Sequence, residues 1–315
     1  MRLDATLTQA APTKTTEVLG VGVPYFVGMP PDFYQSGLLD FVEVTPETLC
    51  RPRQRGRRTS LELLPDQIKR AQESCGSLPM IVHGVELSIG SAHRWNSAYV
   101  EMLDQFYQQW PFLWHSEHLS FQTAPDADGT EVEAGVPLPM PPTREAVELV
   151  AGRCVELLER YELPFLLENP AHYLPGLPAD AEIGDECGLM RAILEKSNCY
   201  QLLDLHNVYC NAINNRLDGF DLVDRMPLQR VMEIHIAGGS WQEGFWADAH
   251  DSRVPDLVWQ MLEYTLGRAP NVRAIVFELL EQHALSLGTE AIEEELAHAR
   301  GVWWLSRRNN SCAAR

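Results

Sequence analysis

The stretch PFLLEN at residues 164–169 is a short apolar run that ends on a carboxylate, Glu168. A continuous apolar run of this length predicts a strand that is buried on both faces, as the strands of a parallel sheet are. Seven further runs of this kind occur along the chain. The predicted strands are Leu19–Val27, Asp40–Thr45, Met80–Val85, Phe112–Leu119, Pro164–Asn169, Tyr200–Leu205, Val231–Ile236 and Arg273–Leu280.

Amphipathic helical patterns lie between these predicted strands. Arg144–Tyr161 is the clearest, because its apolar residues recur at spacings of three and four along one broad stripe. Ser60 and Thr143 stand at positions expected for helix N-caps. The predicted helices are Leu61–Ser74, Ser97–Gln109, Arg144–Tyr161, Glu186–Ser197, Pro255–Leu266 and Thr289–Leu305.

The alternation of strands and helices predicts the fold class. It indicates an α/β protein with a parallel sheet, and eight such units in 315 residues predict a closed (β/α)8 TIM barrel. A doubly wound open sheet is the alternative, although Gly20-Val21-Gly22 is too short a motif for a dinucleotide. We expect a flexible N-terminal tail at residues 1–17, one barrel catalytic domain at 18–308 and a C-terminal tail at 309–315.

The composition limits the partners that the protein can have. Lys and Arg number 25 against 44 Asp and Glu, a formal net charge of −19, which argues against binding to nucleic acid or to an anionic membrane. No run approaches the roughly 18 apolar residues of a membrane span, and the start lacks an apolar signal region. The seven cysteines form no CxxC pair. We therefore expect a cytoplasmic protein with reduced thiols.

Six consecutive predicted strands end in a side chain that can bind a metal ion. These residues are His83, His118, Glu168, Asp204, His235 and Glu278. The carboxyl ends of barrel strands meet at one mouth, so these side chains should lie close together. Each alone is most simply a hydrogen-bonded histidine or a helix-capping acid. Six at consecutive strand ends instead predict a metal centre, because buried polar groups need partners.

Two further segments add potential ligands. His206 and Asn207 follow strand six, while Asp248 and His250 lie in a long loop after strand seven. Together these donors exceed what one octahedral ion accepts, which predicts two or three ions bridged by carboxylates. Nitrogen and oxygen donors without thiolates favour iron, manganese or zinc. Glu233, on the same strand face as His235, is either a partner of that imidazole or an acid of the barrel core.

The ordered set of motifs resembles the multinuclear non-heme iron-dependent oxidases of the methanobactin-biosynthesis type. The resemblance extends from about Gly20 to Glu278. Its motifs are HGVELSIGS (83–91), SEHLSF (116–121), PLP (137–139), LLENP (166–170), LLDLHNVYCNA (202–212), EIHIAGG (233–239) and DAHDSRVP (248–255). It implies a xylose isomerase-like barrel with two or three mixed-valent Fe(II)/Fe(III) ions and dioxygen as co-substrate. It also implies a precursor peptide as substrate, modified often at Cys, and a small partner protein that binds the leader peptide.

The resemblance also implies roles for individual residues. It assigns metal binding to His83, His118, Glu168, Asp204, His235, Asp248, His250 and Glu278. Of these, Glu168, Asp204, His235 and Glu278 are our catalytic candidates. A further ligand comes from Asn207 or from His206, which stands where many members have Asn, and the sequence leaves this choice open.

Candidate substrate contacts lie around the expected mouth. Arg55 and Arg57 belong to an arginine-rich run at residues 51–58 that is either a solvated loop or a clamp for an acidic peptide segment. Glu86 departs from the Gly that the family often has, and it points either to the pocket or to solvent. Trp241, in the long loop, either covers the pocket or packs beneath the loop.

Other functional classes fit the same donors. A barrel hydrolase or isomerase with zinc or manganese, of the endonuclease IV or sugar isomerase type, is the main alternative. The net charge disfavours a DNA substrate, and no predicted strand end offers the lysine typical of a sugar isomerase. A non-catalytic metal-binding protein is a third possibility, but structural metal sites usually close their ligand shell.

Overall fold

Eight parallel strands close into a barrel, which confirms the predicted fold class and excludes the open sheet. The computed structural model describes residues 17–55, 58–126, 128, 131–174 and 176–313, so the tail expected at residues 1–17 lies almost wholly outside the described residues. Closure follows from the pairing of the first strand with the last, Gly20 opposite Ala274.

The barrel strands are β1 (Gly20–Pro24), β2 (Phe41–Val44), β5 (Met80–Gly84), β6 (His115–His118), β9 (Phe165–Glu168), β10 (Tyr200–Asp204), β11 (Val231–Ala237) and β14 (Ala274–Glu278). Three antiparallel hairpins supply the other strands, β3 (Cys50–Arg55) with β4 (Arg58–Leu63), β7 (Ser120–Pro125) with β8 (Glu131–Pro139), and β12 (Ser240–Gln242) with β13 (Phe245–Ala247).

The helices follow most of the predicted patterns. They are α1 (Pro31–Tyr34), α2 (Pro65–Cys75), α3 (Ser97–Gln109), α4 (Arg144–Tyr161), α5 (Glu186–Ser197), α6 (Leu205–Asn215), α7 (Gly219–Arg225), α8 (Asp256–Leu266), α9 (Glu281–Leu287) and α10 (Thr289–Ala313). Thr143 is the N-cap of α4 as predicted, since its side chain accepts a hydrogen bond from the Ala146 amide. Helix α10 extends to Ala313, past the boundary expected at 308. None of the described helices is long and apolar enough to cross a bilayer.

The predicted helix Leu61–Ser74, with Ser60 as its N-cap, is wrong in its first turn. Ser60 lies in β4 and pairs with Arg53 across the β3–β4 hairpin. Helix α2 begins only at Pro65, whose fixed backbone angle suits the first position of a helix. Leu61 and Leu63 therefore belong to a hairpin strand, opposite Pro52 and Cys50, rather than to the helix.

The barrel interior changes from apolar to polar along the strands. An apolar layer fills the amino-terminal part of the interior, formed by Phe41, Ile81, Trp114, Leu166, Leu202, Met232, Ala274 and Val276. Since strand side chains alternate between faces, the residue two positions later points to the same side. On five strands that residue is a potential ligand or an acid, namely Glu43, His83, Glu168, Asp204 and Glu278. The apolar layer is thus the floor on which a polar layer rests.

We predict that shortening this floor destabilises the barrel in proportion to the cavity left behind. Ile81 is fully buried in the apolar layer. Ile81→Ala should lower the free energy of unfolding by about 2–5 kcal/mol, and the matched Ile81→Val by only about 0.5–1.5 kcal/mol. Denaturant unfolding followed by circular dichroism measures both. Equal losses in the two variants would contradict a tightly packed floor.

Candidate metal centre

The first group of potential ligands comes from three adjacent strands. His83 on β5, His118 on β6 and Glu168 on β9 meet at the mouth of the barrel. Glu168 Oε2 lies 3.3 Å from His83 Nε2 and 3.4 Å from His118 Nε2. His118 and Glu168 are register partners across β6 and β9, so parallel pairing brings them together. Two imidazole nitrogens and one carboxylate oxygen therefore converge on one point.

Shared carboxylates link two further groups to the first, one directly and one through the other. Glu168, Asp204 and His235 offer ligand atoms within 4.8 Å of one another, and so do Asp204, His250 and Glu278. Glu168 thus belongs to the first two groups and Asp204 to the last two. A carboxylate has two oxygens and can bridge neighbouring ions. The three overlapping groups can accommodate several ions side by side.

A serine fixes the orientation and the tautomer of His83. His83 Nδ1 lies 3.0 Å from Ser116 Oγ, and the Ser116 hydroxyl donates its proton to the Val82 carbonyl oxygen at 3.2 Å. The hydroxyl must therefore accept from His83 Nδ1–H, which leaves a lone pair on Nε2 facing Glu168. Burial and repulsion from His118 and His235 lower the pKa of His83, so its imidazole is neutral. A neutral imidazole with a free, oriented Nε2 is the form that binds metal ions.

The start of α6 shapes the carboxylate side of the centre. Asp204 is the N-cap of α6, because its Oδ1 accepts from the Asn207 amide at 2.6 Å. Asn207 Nδ2 donates to Glu168 Oε1 at 3.0 Å and to the Asn169 carbonyl oxygen at 3.1 Å. Both amide protons of Asn207 are thus engaged. Its Oδ1 and the second oxygens of Asp204 and Glu168 are left for another partner.

His235 lies between carboxylates on both sides of its ring. Nδ1 is 2.9 Å from Glu278 Oε2, whereas Nε2 is 3.1 Å from Glu43 Oε2 and 3.3 Å from Glu233 Oε1. Glu233 is itself held by the Trp114 indole N–H at 2.8 Å. Burial opposes protonation of His235, but attraction to Glu43 and Glu278 outweighs it and raises the pKa well above its ordinary value. Glu43 and Glu233 therefore orient the imidazole, and Nδ1 faces the centre.

The loop between β11 and α8 brings the remaining donors to the mouth. Asp248 follows β13 directly, and its Oδ1 lies 2.8 Å from His250 Nε2 and 2.7 Å from His206 Nδ1. His250 Nδ1 lies 3.5 Å from Glu278 Oε1. His250 has a backbone φ of +49°, a left-handed conformation that is uncommon for non-glycine residues. This turn directs the imidazole back toward the strand ends.

Burial perturbs the acids of the centre strongly. Burial raises the pKa of Glu168 well above its ordinary value, although attraction to His235 opposes the shift. Burial, reinforced by repulsion from Glu168, does the same to Asp204. Burial also acts on Glu278, but attraction to two histidines outweighs it and lowers that pKa. Within the described chain, Glu168 and Asp204 form ion pairs only with histidines, so neither Lys nor Arg offsets their charge.

The donor set fits a metal centre. Five buried polar atoms of these residues have no hydrogen-bond partner, namely His83 Nε2, His118 Nδ1, Glu168 Oε2, Asp204 Oδ2 and Asn207 Oδ1. A buried polar atom without a partner is costly, and these five belong to residues at the mouth of the barrel. Nitrogen and oxygen donors of this kind suit divalent iron, manganese or zinc.

The two predicted substrate contacts whose side chains the structure describes, Glu86 and Trp241, do not join this cluster. Glu86 is exposed, and its main-chain amide donates to Glu47 Oε1. Trp241 lies on the β12–β13 hairpin with 61% of its surface exposed. Arg55 ends β3, but its side chain is not described, and Arg57 lies outside the described residues.

Sequence reasoning missed Glu43. It lies at the mouth end of β2 and is buried, and burial raises its pKa to about 8 despite attraction to His235. The available signal was an acid inside the otherwise apolar strand FVEV, two residues after the inward-facing Phe41. His115, by contrast, faces the helices as its register predicts, within 3.2 Å of the Tyr99 hydroxyl on α3.

Comparison with known families identifies similar proteins. A family model described as RiPP precursor modification enzyme MbnB/TglH/ChrH matches residues 20–302. A UPF0276 protein of Acinetobacter baylyi is 32% identical over 256 residues, which cover 79% of this chain and 80% of that protein. A UPF0276 protein of Caulobacter vibrioides is 30% identical over 277 residues, which cover 88% of this chain and 90% of that protein.

A solved structure with a similar fold supports the architecture. The crystal structure of an IOLI protein with a binding zinc atom superposes with a TM-score of 0.53 and 11% sequence identity, covering 90% of this chain and 96% of that one. At this level of identity the likeness concerns the barrel alone.

We predict that Ser116 contributes to metal binding without touching the metal. Ser116→Ala removes the acceptor for His83 Nδ1–H and should weaken metal binding by about 10–100-fold, measured by competition with a chelator. The matched control is Ser197→Ala, since Ser197 is also buried and donates to a main-chain oxygen, Ile193 O, on α5. Equal metal affinity in the two variants would contradict the tautomer assignment.

Proposed function

This chain belongs to the MbnB/TglH/ChrH family of RiPP precursor modification enzymes, and from that premise we propose that it is a multinuclear iron oxidase. It uses dioxygen to modify a residue, Cys in our proposal, of a ribosomally made precursor peptide in natural-product biosynthesis. The substrate class follows from the family. The metal and the oxidant are our inference from the donor set and from the sequence motifs.

The sharing of Glu168 and Asp204 among three ligand groups is the observation that carries this proposal. A mononuclear site needs no shared carboxylate, whereas adjacent ions of a multinuclear centre are commonly bridged by one. Bound iron would supply the electrons and the open coordination position that dioxygen chemistry requires.

The protein's own residues have distinct tasks in this proposal. His83, His118, His235 and His250 would hold the ions by nitrogen. Glu168 and Asp204, each of which belongs to two ligand groups, would be shared between neighbouring ions and, with Glu278 and Asp248, would balance their charge. Asn207 Oδ1 completes the set, since both of its amide protons are engaged by protein groups. Glu168, Asp204, His235 and Glu278 remain our candidates for direct contact with the reacting atoms.

Glu43 and Glu233 accept a hydrogen bond from His235 rather than bind an ion. When Nδ1 of His235 binds a metal, Nε2 keeps its proton and donates it to one of these carboxylates, at 3.1 and 3.3 Å. Such carboxylate partners raise the basicity of a metal-bound imidazole and fix its plane. The apolar layer below excludes water from this side of the ring.

The peptide must approach from the open mouth. We propose that Trp241 and Glu86 on the surface, and the β3–β4 turn with Arg55 and Arg57, contact it outside the centre. A small partner protein that binds the leader peptide, and a cytoplasmic location, complete the proposal.

The decisive experiment combines metal loading with oxygen dependence. The protein, reconstituted anaerobically with ferrous iron, should bind at least two ions per chain and change the mass of a co-expressed precursor peptide only after oxygen is admitted. Metal analysis and mass spectrometry provide the two measurements. Turnover with zinc or manganese in the absence of oxygen would instead support a hydrolase or isomerase.

Variants of the centre should separate its role from folding. His118→Ala and Glu168→Gln should each abolish turnover and lower the iron content, because each removes a donor from the first ligand group. His93→Ala, at an exposed histidine, is the matched control and should keep the wild-type turnover and iron content. Circular dichroism should show the barrel intact in all three. Wild-type activity in either centre variant would refute the ligand assignment.

The arginine-rich turn offers a separate test of peptide binding. The double variant Arg55→Glu/Arg57→Glu should weaken precursor binding several-fold if these side chains clamp an acidic segment, because guanidinium groups bind carboxylates bidentately. The matched control is Lys69→Glu/Arg70→Glu on the exposed face of α2, which changes the net charge by the same amount at another place on the surface. Isothermal titration with the precursor measures both affinities, and equal values would refute the clamp.

A further inference from the structure

The surroundings of His206 differ from those of the other histidines at the mouth. Its side chain is fully buried at the start of α6. His206 Nδ1 lies 2.7 Å from Asp248 Oδ1, and the Trp246 indole N–H donates to His206 Nε2 at 3.0 Å. Both ring nitrogens are therefore engaged by protein side chains.

The indole determines which nitrogen of His206 carries the proton. An indole N–H can only donate, so Nε2 of His206 must accept and cannot be protonated. The proton of the neutral ring then lies on Nδ1, which donates to Asp248 Oδ1. One tautomer satisfies both contacts. The other would place two N–H groups against each other and remove the donor that His206 offers to Asp248.

The β12–β13 hairpin holds the indole in this place independently of His206. The Trp246 amide donates to Asn214 Oδ1 at 2.8 Å, and Asn214 Nδ2 donates to the Trp246 carbonyl oxygen at 2.9 Å. Gly239, just before β12, allows the hairpin to lie against the ring, since a Cβ there would come within 2.9 Å of His206 Cε1 and 2.2 Å of the Ala247 oxygen. The Asp248 amide in turn donates to the Tyr173 hydroxyl at 2.8 Å.

We propose that His206 is a positioning residue whose Nδ1–H holds the Asp248 carboxylate for metal binding, with its tautomer fixed by the Trp246 indole. This inference rests on the proposed multinuclear centre and specifies how one of its ligands is oriented. It assigns the ligand role at this point of α6 to Asn207, whose Oδ1 is buried and has no hydrogen-bond partner. It also makes the hairpin part of the centre, through a side chain that touches no ion.

The competing assignment, in which His206 binds a metal through Nδ1 beside Asp248 and His250, makes the opposite prediction for one variant. Trp246→Phe removes the indole N–H but keeps an aromatic ring. If His206 positions Asp248, the imidazole loses the donor that fixes its tautomer and metal binding becomes weaker. If His206 Nδ1 is a ligand, the variant lets the proton move to Nε2, and metal binding stays equal or becomes stronger.

The matched control is Trp110→Phe. Trp110 directly follows α3, and its ring packs against that of Phe106 with centroids 6.1 Å apart. We expect Trp246→Phe to lower the affinity for one ferrous ion per chain by about 10–100-fold, and Trp110→Phe to leave the affinity for iron unchanged. Anaerobic titration with ferrous iron measures this. Unchanged or tighter binding in Trp246→Phe would overturn the proposal.

A second measurement needs no metal, and its decisive part uses the wild-type protein. Nitrogen-15 NMR of the metal-free full-length protein, with labelled histidine, reports the tautomer of each imidazole. We expect His206 to be protonated on Nδ1 alone in the wild type and to show a mixture of tautomers in Trp246→Phe. A proton on Nε2 in the wild type would overturn the proposal even if that variant failed to fold. Because this readout is independent of iron and oxygen, it separates a failure of this inference from a failure of the proposed activity.

Discussion

The cost of burying Glu168 and Asp204 is the constraint on which this structure depends. Both carboxylates are buried at the mouth of the barrel, and their ion pairs within the described residues are with histidines. Removing a carboxylate from water costs several kcal/mol unless cations or hydrogen bonds offset it. Asn207 supplies a single donor to each of them. The remaining oxygens face imidazole nitrogens, Glu168 Oε2 those of His83 and His118, and Asp204 Oδ2 that of His235. A divalent cation would stabilise this convergence of lone pairs.

The barrel makes this concentration of polar groups possible by separating it from the apolar interior. Ile81 and His83, Leu166 and Glu168, and Leu202 and Asp204 each lie two positions apart and face the same way. The first member of each pair packs into the floor, and the second points to the mouth. The floor contributes stability through burial, while the layer above it can remain unsatisfied by the protein. Residues far apart along the chain meet because parallel strands all end at one face.

The sequence predicts this layer well and its surroundings poorly, for one physical reason. A strand end such as MIVHG or LLEN combines an apolar run with a final polar side chain. A few consecutive residues are therefore enough to predict a polar group at the end of a buried strand. The β3–β4 hairpin is different, because the strand assignment of Leu61 and Leu63 depends on pairing with Pro52 and Cys50, which no apolar period reveals. Glu43 escaped notice because its importance arises from the distant His235. Local sequence patterns identify which residues can bind a metal ion. Only the contacts between distant segments show which residues are available to the ion and which are hydrogen-bonded to other residues.

The same logic explains why counting donors in the sequence overestimates the ligands. A neutral imidazole has one lone pair, so a histidine can bind an ion only if the protein leaves that nitrogen free. Ser116 engages Nδ1 of His83 and leaves Nε2, and Glu43 with Glu233 engages Nε2 of His235 and leaves Nδ1 facing the centre. At His206, by contrast, Nε2 accepts the Trp246 indole N–H, so the proton lies on Nδ1 and no lone pair of the ring is left for an ion. The hydrogen-bond partner of one imidazole nitrogen therefore decides whether the other nitrogen can bind a metal ion. A single serine, tryptophan or glutamate in contact with the ring can determine whether a histidine is a ligand or only positions one.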